Sequence, residues 1–228
     1  MMKRLWLMSC AHIGEDAHNK KEFGRYLAWA KKTGAEICIM GDLMDTGLCF
    51  GTKHIGSVWN NNMSPQEQID EAVACLKPLA GRIRAIVKGN HEVRAENLTS
   101  INPLRQVADR LCVSYQDANT VVTWEGRRIF VAHGTSAGYL TDFKKVLDAY
   151  EGLDVVALGH THAMYAEPIR RFSVDAAGHV RSKEIYLVRC GNFLTDASYA
   201  KFAGYRPTPT GSPILEVEGG HLNVRLGL

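Results

Sequence analysis

Short apolar runs alternate with amphipathic stretches through the first two thirds of the chain. Leu5-Trp6-Leu7-Met8 is the first run and reads as a buried strand. Phe23, Leu27 and Ala30 follow at helical spacing within residues 17–33, and Gly34 is a stop signal. Ile37-Cys38-Ile39-Met40 predicts a second strand ending at Gly41, and residues 46–63 predict a long loop. Ser64-Pro65-Gln66-Glu67 opens a helix with an N-cap serine, a first-turn proline and a glutamate three residues after the cap. Ile69, Ala72, Val73 and Leu76 form its apolar face. Ile83 to Val87 predicts a strand, and residues 92–111 one or two short helices around Pro103. Val121 to Trp124 and Ile129 to Val131, separated by Glu125-Gly126, predict a hairpin. Thr141 is expected to cap a helix carrying Phe143, Val146, Leu147 and Tyr150, and Val155 to Leu158 is another buried strand. Strands dominate thereafter, with turns at Gly178, Gly191, Gly211 and Gly219-Gly220. This order predicts an α/β chain with a largely β second half, folded as one domain over residues 1–228.

Composition narrows the class. The 228 residues are 46% hydrophobic and 22% charged, which excludes wholesale disorder, collagen-like repeats and coiled coil. A formal charge of +3 is too small to argue for nucleic acid by itself. No run approaches the length of a spanning helix, so no membrane partner is expected. Lys3 and Arg4 before Leu5 faintly suggest a lipoprotein signal, but the apolar part is too short and reads better as a strand. The six cysteines are sparse for a disulfide scaffold; Cys38 and Cys75 sit in apolar segments and read as buried thiols. A reducing, cytoplasmic compartment is expected.

The chemistry lies just after the strands. The first run leads into Cys10-Ala11-His12, the second into Gly41-Asp42-Leu43-Met44-Asp45, and the Ile83 strand into Gly89-Asn90-His91-Glu92. Phe130-Val131 leads into Ala132-His133-Gly134, and Val155 to Leu158 into Gly159-His160-Thr161-His162. Loops at the carboxyl ends of strands converge on one edge of α/β folds, so five such deliveries point to one site. A lone histidine or Gly-Asp would be an ordinary turn or surface residue; the set would not.

The ordered motifs Gly-Asp-x-x-Asp, Gly-Asn-His-Glu, His-Gly and Gly-His-Thr-His resemble those of the calcineurin-like metallophosphoesterases, across residues 9–162. The resemblance implies a two-sheet β-sandwich flanked by helices, with two divalent ions at the strand ends. It implies that Asp42 bridges the ions, that His12 and His162 serve one and that Asn90, His133 and His160 serve the other. His91 would be the general acid. Asp45 and Glu92 are expected behind the ligands, where carboxylates fix histidine tautomers. The sequence departs from the family at Cys10, where aspartate is usual. Cys10 ligates as a thiolate, or lies near a weaker site, or is replaced by Asp16. Of the expected metals, Mn, Fe or Zn, a thiolate favours Zn or Fe. RNA lariat debranching enzymes also carry cysteine there, which supports a functional site more than a shared substrate.

The substrate is a phosphate ester, and the Gly-His-Thr-His motif resembles the phosphodiesterase branches. Protein phosphatases of the superfamily place arginines where this chain has Thr46 and Lys88, which counts against a monoester dianion. A phosphomonoesterase and a non-catalytic scaffold are the alternatives. His54 and Trp59 in the long loop are candidate substrate contacts, Trp59 as a base-stacking ring or as loop packing. Arg82, Arg84 and Lys88, and separately Arg170, Arg171, Arg181 and Lys183, form basic clusters that suit a nucleic-acid backbone or a solvated sheet edge. Oligomeric state is not legible.

Overall fold

The computed structural model describes residues 2–48, 60–135, 140–195 and 208–228. Two sheets face each other. The first has the order β11-β10-β1-β2-β3-β4, comprising β1 (Lys3–Met8), β2 (Glu36–Met40), β3 (Ile83–Val87), β4 (Tyr115–Gln116), β10 (Pro213–Glu218) and β11 (His221–Leu226). The second has the order β5-β6-β7-β9-β8, comprising β5 (Asn119–Trp124), β6 (Arg127–Ala132), β7 (Val155–Leu158), β8 (Met164–Val174) and β9 (Val180–Cys190). β1 to β4 run parallel, as do β6, β7 and β9, so each sheet ends its central strands on one edge.

The alternation of side chains builds three layers. Leu5, Leu7, Cys38, Met40, Ala85 and Val87 point inward against Ile129, Val131, Val155, Ala157, Val188 and Cys190. The intervening Trp6, Met8, Ile37, Ile39 and Ile86 face the other way. They are covered by α1 (Lys20–Thr33), α2 (Pro65–Leu76) and α4 (Pro103–Leu111). Phe130, Val156, Leu158 and Leu187 on the outer face of the second sheet pack under Phe143 and Val146 of α5 (Thr141–Ala149). Nearly every central strand is therefore buried on both faces, which is why they read as continuous apolar runs.

The predicted punctuation is largely present. Gly34 ends α1 in a left-handed conformation, and Ser64 and Glu67 form a reciprocal capping box on α2. Pro103 separates α4 from α3 (Asn90–Thr99), resolving residues 92–111 into two helices. Two expectations need correction. Thr141 is the first helical residue of α5, and its predecessor Leu140 occupies the cap without a side-chain bond. Cys75 is only half-buried, because it lies beside the apolar stripe of α2 rather than in it; Cys38 is fully buried.

Most residues of both basic clusters are engaged within the chain. Arg82 donates to the Ala30 and Lys31 carbonyls, Arg84 pairs with Glu36 at 2.9 Å, and Lys88 pairs with Asp117 at 3.2 Å and with Glu96. Lys183 meets Asp154 at 3.0 Å, Arg181 meets Asp175 at 3.1 Å, and Arg171 donates to the Leu147 carbonyl. The second cluster lies on the β8–β9 hairpin, whose outer strand is a sheet edge. His54 and Trp59 lie outside the described residues, so their expected contacts are not described. Among the described residues no helix is long and apolar enough to cross a membrane.

Candidate metal centre

The ends of β1, β2 and β3 are stitched together by backbone before any donor is placed. The Cys10 amide donates to the Gly41 carbonyl at 3.0 Å, and the His12 amide to the Asp42 carbonyl at 3.0 Å. A Cβ on Gly41 would lie 2.5 Å from the Gly89 amide nitrogen, and one on Gly89 would lie 2.2 Å from Asp42 Oδ1. Only glycine permits that approach. Cys10, His12, Asp42, His160 and His162 all adopt left-handed backbone conformations. Such conformations cost on the order of 1–3 kcal/mol each and concentrate at functional sites.

Two buried carboxylates hold this edge. Glu92, in the first turn of α3, accepts from the amides of Gly89, Asp42, Leu43 and Met44 at 2.8 to 3.2 Å. Asp45 Oδ1 lies 3.2 Å from His12 Nδ1 and 3.0 Å from His91 Nδ1, and its Oδ2 accepts from Asn61 at 2.7 Å. Glu92 thus fixes the Asp42 loop, and Asp45 fixes the ring orientations of His12 and His91.

The donor atoms fall into two adjoining groups. Donors of Cys10, His12 and His162 lie within 4.8 Å of one another, and so do those of Cys10, Asp42 and His133. His12 Nε2 faces His162 Nε2 at 3.2 Å. Asn90 Oδ1 lies 3.0 Å from His133 Nε2 and 2.9 Å from His160 Nδ1. Asp42 stands between the groups: its Oδ2 is 3.1 Å from His133 Nε2 and 3.9 Å from His12 Nε2, while Oδ1 accepts the His91 amide at 3.0 Å. His91 packs against His12 with ring centroids 4.8 Å apart. A His91 donor also falls within 4.8 Å of donors from His12 and Asp42.

His160 and His162 serve different groups for a reason other than strand alternation. Residues two apart on an extended strand share a face. Here left-handed turns at both residues swing the rings apart, one to Asn90 and the other to His12.

These contacts test the fit of a cation. His133 Nδ1 faces the Met40 carbonyl at 2.9 Å and must donate to it. A neutral His133 ring then turns its Nε2 lone pair toward two acceptor oxygens, Asp42 Oδ2 and Asn90 Oδ1. His12, whose Nδ1 donates to Asp45, likewise turns its Nε2 toward the His162 ring nitrogen. The lone pairs converging at His133 need a positive charge among them, which a divalent ion would supply. Without one, protons substitute. Burial opposes charge on His133, but Asp42 outweighs it and raises the pKa. Burial likewise opposes a charged His91, yet the Asp42 and Asp45 carboxylates lift it to about 9. Burial and the His12 ring push His162 down to about 3, and burial and His133 lower His160. Burial raises the Cys10 thiol well above its usual range and Asp42 raises it further, so a thiolate there requires a cation beside it.

All the described candidates, Cys10, His12, Asp42, Asp45, Asn90, His91, Glu92, His133, His160 and His162, meet at this edge. Asp16 is exposed at the surface. Sequence reasoning missed several supporting residues. Ser9 Oγ lies 3.2 Å from Cys10 Sγ and donates to the Met40 carbonyl. Asn192 Nδ2 donates to the His162 carbonyl at 3.0 Å. Gln68 is fully buried and ties Thr46, Asn61 and Met63 together. A polar residue in the buried stripe of an otherwise amphipathic helix was the available signal for Gln68.

A two-sheet sandwich with histidine, aspartate, asparagine and thiol donors converging at its strand ends is the architecture of a metallophosphoesterase. The chain belongs to the calcineurin-like phosphoesterase superfamily, whose domain model matches residues 4–188. No curated protein matches it. Among solved structures, it is similar to Yfce, a phosphoesterase from E. coli, at 18% identity and a TM-score of 0.51, over 95% of this chain and 88% of that one. It also aligns with an archaeal phosphodiesterase at 14% identity and a TM-score of 0.48, over 98% and 99% of the two chains. Zn-complexed Vps29 from Entamoeba histolytica aligns at 13% identity and 0.46, over 97% of each chain.

Proposed function

We propose that the protein is a metal-dependent phosphodiesterase with two ion sites. The convergence of the His133 and His160 ring nitrogens on Asp42 and Asn90, beside the facing His12 and His162 rings, carries this reading. Cys10, His12, His162 and Asp42 would hold one ion; Asp42, Asn90, His133 and His160 would hold the other. When bound, the ions supply Lewis acidity toward phosphate oxygens and lower the pKa of nearby water. A Cys10 thiolate and the Asp42 carboxylate leave two divalent ions a net +2, which suits an anionic ester. The soft thiolate favours Zn or Fe over harder ions.

His91 is the proton donor to the leaving oxygen. In the metal-free protein burial opposes its charge but the Asp42 and Asp45 carboxylates raise its pKa to about 9, and the Asp45 carboxylate and carbonyl, both facing Nδ1, fix its orientation. Diester preference is supported by the absence of a guanidinium at positions 46 and 88. Thr46 bonds to Gln68, and Lys88 is occupied by Glu96 and Asp117, so neither grips a phosphate dianion.

The test is hydrolysis of bis-p-nitrophenyl phosphate against p-nitrophenyl phosphate, after anaerobic reconstitution with Mn²⁺, Fe²⁺ or Zn²⁺. Asp42→Ala serves as the blank. The expected result is metal-dependent turnover of the diester that the blank lacks. Turnover of the monoester alone makes the protein a phosphomonoesterase, and turnover of neither, with metal bound, leaves a narrowly specific enzyme or a scaffold.

A further inference from the structure

A buried arginine near the site has no part in the reading above. Arg189 is 1% exposed and sits near the end of β9, in the otherwise apolar run Ile185 to Cys190. Burying a guanidinium is costly unless it is fully engaged. Its Nη1 donates to the Gly159 carbonyl at 3.1 Å, immediately before His160, and its head lies 4.8 Å above the Phe143 ring of α5. The next residue back on that helix, Asp142, is also buried. Asp142 accepts from the Thr135 amide at 2.9 Å and the Thr135 hydroxyl at 3.4 Å, two residues after His133; Lys145 reaches its other face at 3.6 Å.

The two groups meet beneath Gly134. A Cβ there would lie 3.2 Å from Asp142 Oδ2, 3.5 Å from Arg189 Nη1 and 3.7 Å from the Gly159 carbonyl oxygen. The left-handed Gly134 thus lets the His133 loop, held by Asp142, settle beside the Arg189 guanidinium that holds the His160 loop. Gly159 is pinned from the opposite side, where an added Cβ would strike Ser9 Oγ at 2.0 Å. His162 is held independently, through the Asn192 bond to its carbonyl.

We propose that Asp142 and Arg189 form a clamp that positions His133 and His160 together, and so sets the affinity of the Asn90–His133–His160 ion site without touching the ion. The inference rests on the two-ion reading. Both are positioning residues, and their effect falls on one ion-binding step rather than on stability alone. The two groups lie at the place where the two loops meet, so removing Asp142 releases the Thr135 end of the His133 loop and removing Arg189 releases the Gly159 end of the His160 loop.

Stepwise Zn²⁺ binding to the metal-free protein tests this, by equilibrium dialysis with elemental analysis, alongside the thermal midpoint. Arg189→Met keeps the length of the side chain and removes its charge. It is expected to weaken one of the two binding steps by about 10–100-fold, the range for groups that support a ligand from behind, and to leave the other unchanged. Asp142→Asn is expected to weaken the same step. Arg189→Lys, which keeps a cationic donor for the Gly159 carbonyl, is expected to recover most of the loss; it and Asp142→Asn remain informative should Arg189→Met fail to fold. Two ions bound by every variant with unchanged affinities, or equal weakening of both steps, overturns the clamp. A wild-type protein that binds a single ion overturns the two-ion reading and the clamp with it.

Discussion

The two sheets bring different chemistry to the shared edge. The ends of β1, β2 and β3 deliver every anionic group, Cys10, Asp42, Asp45 and Glu92, and fix them through backbone amides and glycine contacts. The ends of β6 and β7 deliver only imidazole rings, His133, His160 and His162; the Met40 carbonyl faces His133, and Asp142 of α5 and Arg189 of β9 reach the two loops. On the two-ion reading, cation affinity would reside mainly in the first sheet, and the second sheet would complete coordination. Supports differ in part: the Asp42 loop is held by a carboxylate that gathers its amides, and the His160–His162 loop through its carbonyls by Arg189 and Asn192, while the His133 loop again rests an amide on a carboxylate, that of Asp142.

The largest break in this comparison is Asp42→Ala. It removes the one oxygen pair that faces both groups, so both ions are expected to be lost and turnover to fall to background; elemental analysis of the dialysed variant checks this. His91→Ala leaves both groups intact and is expected to slow substrates with alkoxide leaving groups by about 10²–10⁴-fold, with metal content unchanged. A loss under about tenfold would remove His91 from that role. Asp45→Asn sharpens the contrast: His12 and His91 lose their anionic partner while His133 and His160 do not. Metal affinity at the Cys10–His12–His162 group is expected to fall by about 10–100-fold, with the other group unaffected in stepwise titration.

The smallest effect is on stability, outside both groups. Burial depresses the pKa of His18 to about 4 from 6.5, and its Nδ1 donates to the Ala11 carbonyl at 2.6 Å. The unfolded chain therefore binds a proton that the folded chain refuses as pH falls through that window. Stability present above pH 6.5 is lost toward pH 4, by on the order of 2 kcal/mol. His18→Asn keeps a donor for the carbonyl, and urea melts across this range are expected to show a flatter pH dependence.

The contrast also explains what the sequence made legible. Central strands buried on both faces leave unbroken apolar runs, and each run ends on glycine or a donor, so β1, β2, β3, β6 and β7 and the residues beyond them were readable. The Ser64 cap and Gly34 stop are local, and local chemistry survives in one dimension. Long-range pairings do not. Arg189 and Asp142 belong to no motif, and only the fold brings both beneath Gly134. The basic residues of β3 and the β8–β9 hairpin looked like an anion-binding face because their acidic partners, Glu96, Asp117, Asp154 and Asp175, lie elsewhere in the sequence or across a turn. The divergence of His160 and His162 depends on backbone torsions that no spacing rule records.

The central claim is that Asp42 joins two adjacent ion sites. Electron paramagnetic resonance of the metal-free protein titrated with Mn²⁺ tests it most directly. The account predicts a spin-coupled dinuclear spectrum that grows in as the second equivalent binds and is absent from Asp42→Ala. An isolated-ion hyperfine pattern that saturates at one equivalent, with no coupled signal, would contradict it.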